Sequence, residues 1–375
     1  MKIAILTQPL GKNYGGIMQA WALQQVLKKM GHEVVTIDYN YPAPGFFYQQ
    51  ARLGYRLIKK LAGKRAAPLN LEGKFSFIFQ HTHAFINENI TMSEYIDSNI
   101  SLKQHFEKNK YDAVVVGSDQ TWRPKYSPNI YSFYLDFIKD QEIKKFAYAS
   151  SFGVDTWEYS EEETSKCAEL AKLFDAISVR EESGIDLCEK YLNVESECVL
   201  DPTLLLNKED YLSLIGDKYN NGSDSGVYTY FLDANQEKTS AASFIAEKLN
   251  TQMYSCQAKR SLGDLGGSTL DEYQMPAVQD WLASFANAKF VVTDSFHGMV
   301  FSIVFGKPFI VISNKDRGAA RFESLLKKLN ASDKLIDSTS VLMSGLVKIN
   351  EIKSLDFRNL ELEKEKSLFF LKDYL

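Results

Sequence analysis

The sequence contains little cysteine and no long apolar run, and each absence excludes a class of protein. Its 375 residues include 4 cysteines, with no CxxC pair and no histidine at ligand spacing, so neither a zinc site nor a disulfide framework is expected. The apolar stretches at 299–305 and 308–312 are far shorter than the roughly 18 residues of a membrane-spanning helix. The first apolar segment ends at Gln8, without the apolar core of a secretion signal. We therefore expect a cytoplasmic protein with no bound metal or cofactor.

An excess of positive charge is also missing. The chain has 43 basic and 48 acidic residues, a net charge of −5, whereas nucleic-acid-binding proteins are normally basic or carry a basic face. We expect no nucleic-acid partner. Hydrophobic residues make up 45% and charged residues 24%, which is typical of a globular chain. Aromatic residues are plentiful at 13%; sugar-binding clefts use such rings, although most aromatic side chains lie in protein cores.

Short β-rich runs alternate with helical patterns, which is typical of βαβ units with mostly parallel sheets. Predicted strands lie at 3–7, 33–38, 112–116, 145–150, 176–179, 198–200, 227–232, 252–255, 290–293 and 308–312. Predicted helices lie at 15–30, 101–109, 160–173, 183–192, 236–249, 276–287 and 355–375. The polar, turn-rich segment 216–226 is typical of a linker. It divides the chain into two α/β domains, 1–215 and 216–375, and the second domain ends in a helix that packs back on the body.

Residues 39–110 interrupt the alternation, and we interpret them as an insertion in the first domain. Within it, six cations and no acid occur in 14 residues; they are Arg52, Arg56, Lys59, Lys60, Lys64 and Arg65. On a helix most of these cations fall on one side, with leucine, isoleucine and alanine on the other. Such a helix could lie on an anionic membrane surface or bind a polyanionic carrier. The alternative is a solvated helix face over a core.

Ligands of open α/β sheets bind outside the carboxyl ends of the strands, so the residues that follow each strand are candidates for a site. After the first strand, Asn13, Tyr14, Gly15 and Gly16 lead into a helix. Glycines let a ligand approach the backbone, and a helix N-terminus attracts anions. The pattern is neither a dinucleotide-binding motif nor a P-loop. The glycines could equally serve only a tight turn from strand to helix.

Polar side chains also follow later strands of the first domain. Asp119, Gln120 and Trp122 follow the predicted strand at 112–116; such groups suit a polyhydroxylated acceptor, and Asp119 could act as a general base. Alternatively, Asp119 is a turn or capping residue. Arg180 follows the strand at 176–179, and its planar guanidinium fits phosphate or carboxylate. Alternatively, it pairs with Glu181, Glu182 or another surface acid. We interpret Asp201, after the next strand, as a turn residue.

The densest group of candidates follows the strand at 290–293, where Ser295, His297 and Gly298 begin a helix. A helix N-terminus disfavours a protonated imidazole, whereas a bound phosphate favours it. His297 therefore fits an acid that its own anionic substrate activates, although it could also be a capping or buried structural histidine. Cations that could line the same cleft are Lys315, Arg317 and Arg321. Arg321 could instead belong to an ordinary helix face.

Six short motifs, in this order, resemble the polysaccharide pyruvyl transferase family. They lie at 13–16, 117–122, 149–153, 178–183, 201–203 and 295–298. The resemblance implies a GT-B-like fold, in which two Rossmann-like domains face each other across a cleft. It also implies the reaction: phosphoenolpyruvate gives its three-carbon unit to two hydroxyls of a sugar, forming a pyruvate ketal and free phosphate. The acceptor would be a lipid-linked oligosaccharide, a precursor of exopolysaccharide or capsule.

The resemblance assigns binding of phosphoenolpyruvate to Arg180 and His297, with His297 as the leading proton donor. From its position we add Asp119 as the base. The other donor-binding candidates, on the second domain, are Ser295, Gly298, Arg317 and Arg321. The acceptor-binding candidates, on the first domain and its membrane-facing side, are Asn13, Tyr14, Gly15, Gly16, Gln120 and Trp122. Many members carry arginine where this chain has Ser295, so either Lys315, Arg317 or Arg321 replaces that cation or the donor is different.

Two other functions remain open at this stage. One is a glycosyltransferase that uses a nucleotide sugar on the same architecture; saturable binding of UDP or GDP would favour it. The other is a non-catalytic member of the family that binds a glycan or a carrier lipid. The cationic segment also leaves open a peripheral contact with the inner membrane surface.

Overall fold

The fold is described from a computed structural model. It describes residues 1–42, 44–64, 67, 69, 72–220, 225–262, 267, 269–313, 318–337, 339–343, 349, 352 and 355–375.

The first half of the chain forms a parallel sheet of seven strands. They are β1 (Lys2–Leu6), β2 (Glu33–Tyr39), β3 (Met92–Ile96), β4 (Ala113–Val116), β5 (Lys144–Ser150), β6 (Ala176–Val179) and β7 (Glu197–Cys198). Their order is β3-β2-β1-β4-β5-β6-β7. The strand order reverses between β1 and β4, and the crevice beyond the carboxyl ends of such strands is where ligands of this fold class bind.

Eight α-helices accompany these strands in the part of the chain that the structure describes. They are α1 (Tyr14–Lys29), α2 (Phe46–Leu61), α3 (Phe75–Ile78), α4 (Gln80–Asn89), α5 (Asn99–Asn109), α6 (Glu161–Ala171), α7 (Glu182–Leu187) and α8 (Lys208–Ile215). Helix α1 begins where the Asn13 side chain accepts a hydrogen bond from the Gly15 N–H and ends with Lys28 and Lys29. These residues complement the two ends of the helix dipole.

The second half forms a parallel sheet of five strands. They are β8 (Val227–Tyr230), β9 (Met253–Ser255), β10 (Phe290–Thr293), β11 (Phe309–Ile312) and β12 (Leu335–Ile336), in the order β12-β11-β10-β8-β9. The described helices are α9 (Gln236–Lys248), α10 (Val278–Ala286), α11 (Phe296–Val304), α12 (Ala320–Lys328), α13 (Thr339–Met343) and α14 (Arg358–Tyr374). Here the order reverses between β8 and β10, which places α11, directly after β10, at the corresponding crevice.

The terminal helix α14 packs back on the first sheet, as predicted. The Ser367 hydroxyl accepts a hydrogen bond from the Leu200 N–H at 2.9 Å, and the Phe370 ring lies 6.1 Å from the ring of Tyr148 on β5. The last residues of the chain therefore stabilise the sheet formed by the first half.

Two features of the segment 39–110 differ from the sequence interpretation. Strand β3 was not predicted, and it extends the first sheet from its edge beside β2, so the segment is not wholly an insertion. Helix α2 contains no buried residue, which contradicts the interpretation of a solvated face over a core.

The division of the chain at residue 215 stays a prediction. None of the described helices is long and apolar enough to cross a membrane.

Candidate active site

The site lies where the N-termini of α1 and α11 meet. The contact is made by Gly15 on α1 and His297 on α11: a β-carbon placed on Gly15 would lie only 2.1 Å from His297 Nδ1. A glycine is therefore required for the imidazole to lie against the α1 backbone. Elsewhere along the interface, the Glu182 N–H donates to the Ser324 hydroxyl at 3.0 Å. The carboxyl ends of the two sheets thus face each other, and we call the region between them the cleft.

Arg180 lies at the centre of the first-sheet side of this cleft. Its side chain is buried, and its guanidinium donates to Asp201 Oδ2 at 2.9 Å and, more weakly, to Asp119 Oδ1 at 3.4 Å. Burial by itself would lower the pKa of Arg180, but the two carboxylates outweigh it and raise the pKa. Arg180 thus pairs with acids, as the alternative interpretation held, but these are the buried Asp201 and Asp119. Glu181 Oε1 instead accepts hydrogen bonds from the N–H groups of the loop after β5.

Asp201, interpreted from sequence as a turn residue, is part of the site. One carboxylate oxygen accepts from the Thr203 N–H and hydroxyl at 3.0 and 2.6 Å. The other accepts from Arg180 and from the Ser118 hydroxyl, and lies 3.6 Å from His297 Nε2. Burial would raise the pKa of Asp201, but His297, Arg180 and Thr203 outweigh it and hold the pKa far below its usual range. The Asp201 carboxylate is therefore charged at neutral pH and lies between the arginine and the histidine.

His297 presents a buried nitrogen to this carboxylate. It is the second residue of α11, and the N-cap is Ser295, whose hydroxyl accepts from the Gly298 N–H at 3.3 Å. The capping role suggested as an alternative for His297 is therefore wrong. Nε2 is buried and has no hydrogen-bond partner among the residues that the structure describes, since 3.6 Å from Asp201 exceeds a hydrogen-bond distance. The imidazole thus lies between the α1 backbone and the Asp201 carboxylate.

A second arginine reaches the same place from α12. Two guanidinium groups lie against the Phe296 ring: the Cζ atom of Arg180 is 4.7 Å from the ring centroid, and that of Arg321 is 5.6 Å from it. Arg321 is buried rather than on an exposed helix face. Burial and the charge of Arg180 lower the pKa of Arg321 to about 10, so it stays charged at neutral pH. The other candidate cations, Lys315 and Arg317, lie outside the described residues.

Asp119 lies between Arg180 and the start of α1. Its Oδ1 accepts from the Gln120 N–H at 2.9 Å, and its Oδ2 would be 3.5 Å from a β-carbon placed on Gly16. The backbone of Asp119 is left-handed, with φ of 71°, a conformation that aspartate tolerates better than most residues. The geometry brings this carboxylate and the glycine-containing helix N-terminus together, next to an exposed Asn13.

Two aromatic candidates for acceptor binding do not face the cleft. Trp122 is fully buried; its indole N–H donates to the Phe133 carbonyl at 3.1 Å and its ring stacks on Tyr134. Tyr14 donates its hydroxyl to the Pro276 carbonyl at 2.7 Å and stacks on a tryptophan of α10. The predicted contacts of Trp122 and Tyr14 with an acceptor are therefore wrong, because both rings are buried and neither has a face left for a sugar.

Three further candidates are engaged in local structure. The Ser295 hydroxyl and the Gly298 N–H bond each other, and a β-carbon on Gly298 would lie 2.2 Å from Thr293 Oγ1. Gly298 thus allows α11 to pack on β10 and offers no N–H to a donor molecule, contrary to expectation. Gln120 Oε1 accepts from Arg123 at 3.2 Å and lies against Gly153, which holds its side chain beside the cleft.

Sequence reasoning missed Asp201 and Phe296 as parts of the site. The signal for Asp201 was its place directly after a strand, the same criterion that selected Arg180. Phe296 precedes the selected histidine, and its role as a surface between two guanidinium groups depends on Arg321, which lies far away along the chain.

Comparisons with solved structures establish the fold. The UDP-GlcNAc 2-epimerase from Methanocaldococcus jannaschii matches with a TM-score of 0.56 and 12% identity, over 100% of both chains. The enzyme of the same name from Neisseria meningitidis matches with 0.53 and 11%, over 100% of this chain and 99% of that one. Arabidopsis thaliana UGT89C1, complexed with UDP-L-rhamnose, matches with 0.53 and 12%, over 99% and 95%. These are GT-B proteins, and the predicted fold class is confirmed.

Comparisons of sequence are more specific. None of the curated proteins matches the chain. A family model of polysaccharide pyruvyl transferases, however, matches residues 13–316. This span includes Gly15, Asp119, Arg180, Asp201 and His297, and the match supports a transferase that modifies polysaccharide. The chain therefore belongs to the polysaccharide pyruvyl transferase family.

Proposed function

We propose that the protein transfers a pyruvyl group from phosphoenolpyruvate to a sugar of a lipid-linked surface-polysaccharide precursor. Two sugar hydroxyls form the pyruvate ketal, and inorganic phosphate leaves. No metal ion or further cofactor is required by this chemistry. The reaction would take place in the cytoplasm, where phosphoenolpyruvate is made.

The observation that carries the proposal is the pair of buried guanidinium groups beside a histidine whose Nε2 has no hydrogen-bond partner in the described part of the chain. The guanidinium groups of Arg180 and Arg321 lie 4.7 and 5.6 Å from the centroid of the Phe296 ring, and their like charges repel each other; burial first, and then the charge of Arg180, lowers the pKa of Arg321. An anion bound between them would replace this repulsion with attraction to both. Phosphoenolpyruvate carries a phosphate and a carboxylate, and the planar guanidinium fork matches either group.

His297 is suited to protonate C3 of the enol. Proton addition at C3 makes C2 electrophilic, and a sugar hydroxyl then forms its bond to C2. The bound phosphate and the Asp201 carboxylate, 3.6 Å from Nε2, both attract a protonated imidazole. The protonated form is the one that can donate, so substrate binding prepares the acid.

Asp119 is suited to receive the proton of the attacking hydroxyl. It lies on the acceptor side, next to Gly16 and the N-terminus of α1. Departure of phosphate from C2 then allows the second hydroxyl to close the ketal. One hydroxyl proton replaces the proton given to C3 and the other leaves with phosphate, so the reaction balances without an oxidant or reductant.

The test is phosphate release from phosphoenolpyruvate with a panel of lipid-linked oligosaccharides, followed by the mass of the product. We expect acceptor-dependent release, and a loss of about 100-fold or more in His297→Gln if the residue is the general acid. His32→Gln is the matched control, because His32 follows α1 at its opposite end. No release with any acceptor, together with no thermal stabilisation by phosphoenolpyruvate, would contradict the proposal.

A nucleotide sugar is the competing donor. It is favoured by the solved structures of similar fold, whose descriptions name UDP sugars. Competition between phosphoenolpyruvate and UDP or GDP for the free protein separates the two. Saturable nucleotide binding that excludes phosphoenolpyruvate would favour glycosyl transfer.

A further inference from the structure

Helix α2 presents its apolar side to solvent. Phe46, Phe47, Ile58 and Leu61 are 68%, 87%, 67% and 80% exposed, and Leu57 is 46% exposed. An amphipathic helix of a globular protein ordinarily turns its apolar stripe to the core. In α2 no residue is buried, so the stripe has no partner within the described part of the chain.

The apolar and cationic residues of α2 lie on different sides. At 100° per residue, the five exposed apolar side chains fall within an arc of roughly 120°. The cations of the helix fall on the opposite side; they are Arg52, Arg56, Lys59 and Lys60. Two tyrosines lie beside them, with Arg52 over the ring of Tyr48 and Lys59 over that of Tyr55. Aromatic rings of this amphipathic kind favour a membrane–water interface.

The charge around α2 selects the occupant of its apolar side. No acidic residue occurs between Asp38 and Glu72, although the whole chain has a net charge of −5. A second copy of the protein bound through the same side would bring two cationic helices together. A surface with an apolar interior and anionic groups at its boundary can bind the apolar side and the cationic side of the helix at the same time.

We propose that α2 docks the protein on an anionic lipid bilayer. The exposed phenylalanine, isoleucine and leucine side chains enter the boundary between headgroups and acyl chains, while Lys59 and Lys60 contact anionic headgroups. Arg56 instead donates to the Leu69 carbonyl at 3.1 Å. Helix α2 follows the carboxyl end of β2, and the candidate site lies at the carboxyl ends of the neighbouring strands β1 and β4. Docking would therefore keep the site near a lipid-linked acceptor, a consequence that rests on the proposed function.

The test is co-sedimentation of the full-length protein with vesicles. We expect binding to vesicles of equal parts phosphatidylglycerol and phosphatidylcholine that weakens with salt, and little binding to phosphatidylcholine alone. Each cation near an anionic surface contributes about fivefold to partitioning, so Lys59→Glu/Lys60→Glu should lower it by at least roughly 25-fold. Phe46→Ser/Phe47→Ser, which removes apolar insertion, should lower it at least about tenfold.

Matched controls are available elsewhere on the surface. Lys103→Glu/Lys139→Glu reverses two exposed lysines outside α2, and Phe369→Ser changes a phenylalanine that is 66% exposed on α14. Both should bind the anionic vesicles as the parent does. Phosphate release with a water-soluble acceptor should be unchanged in the α2 variants, so failure of docking and failure of the proposed reaction are separable.

Three results would overturn the proposal. The first is a parent protein that binds neither kind of vesicle. The second is vesicle binding that the α2 variants and the controls reduce equally. The third is a different occupant: a dimer in sedimentation velocity that Phe46→Ser/Phe47→Ser abolishes, or binding to soluble polyphosphate that depends on the lysines while vesicle binding does not depend on the phenylalanines.

Discussion

The contact between Gly15 and His297 gives a sharp prediction. In Gly15→Ala the new β-carbon would lie 2.1 Å from His297 Nδ1, 2.4 Å from Cγ and 2.7 Å from Cε1. Ordinary contacts of a β-carbon begin near 3.4 Å. The imidazole must therefore withdraw by roughly 1 Å, or the two helix N-termini must separate by a similar distance.

A displacement of about 1 Å at a reacting group costs on the order of 100-fold in rate. We expect that loss in kcat for phosphate release by Gly15→Ala, with a retained fold. Helix propensity alone would make alanine more favourable than glycine by up to about 1 kcal/mol. The control is Gly54→Ala, since a β-carbon at Gly54 meets nothing within 4 Å. Measured with a water-soluble acceptor, it should keep the parent kcat.

A second readout of Gly15→Ala does not depend on turnover. The chain has 5 histidines, so the ring resonances can be assigned by NMR, with His297→Gln identifying the one at the site. We expect the His297 resonance to shift in Gly15→Ala while those of the other histidines stay. Parent kcat together with an unshifted His297 resonance would refute the contact between α1 and α11, and with it the arrangement of the site.

Two further predictions concern the buried side chains around the site. Asp201→Asn should lower the free energy of unfolding at pH 7 by about 3–5 kcal/mol, because it leaves Arg180 buried without its main partner. Since the folded pKa of Asp201 is lowered, its contribution to stability is complete above the unfolded pKa of about 3.9 and fades as the pH falls below that value. Urea unfolding should therefore show a smaller loss of stability in Asp201→Asn at pH 3 than at pH 7. Equal stability of the variant and the parent at pH 7 would contradict the ion pair. Trp122→Phe should lower stability by about 1–3 kcal/mol through a lost hydrogen bond and lost packing, with an unchanged KM for acceptor; a raised KM without loss of stability would place the indole in the acceptor site.

Most of the fold could be predicted because its strands are short, continuous apolar runs. Strands β6 and β10 have the predicted bounds, and every residue in them is buried. Strand β3 was missed because its sequence, with Ser93 and Glu94 at its centre, is half exposed at the sheet edge. Strand β12 has only two residues, too few to form a pattern. Both strands depend on pairing with a neighbour more than on their own composition.

The sequence predicted those residues of the site that lie directly after a strand. Asp119, Arg180 and His297 were selected by position, and the structure brings them together with Asp201. Trp122 passed the same criterion and is nevertheless a core residue. The sequence shows which side chains follow a strand, but the direction in which each one points depends on the loop, and an indole is stabilised by burial as readily as by a ligand.

The replacement of a cation at Ser295 illustrates what the sequence pattern cannot resolve alone. The resemblance to the family led us to expect an arginine at this position, whereas here the serine hydroxyl caps α11. A cation is still present at the site, because α12 brings Arg321 to the Phe296 ring beside Arg180. Separate elements thus supply the N-cap residue and the buried guanidinium, so the start of α11 is stabilised while the site keeps the positive charge that the proposed anionic donor would require. The motif at 295–298 therefore carries the histidine and the cap, while the second positive charge of the site depends on the packing of α12.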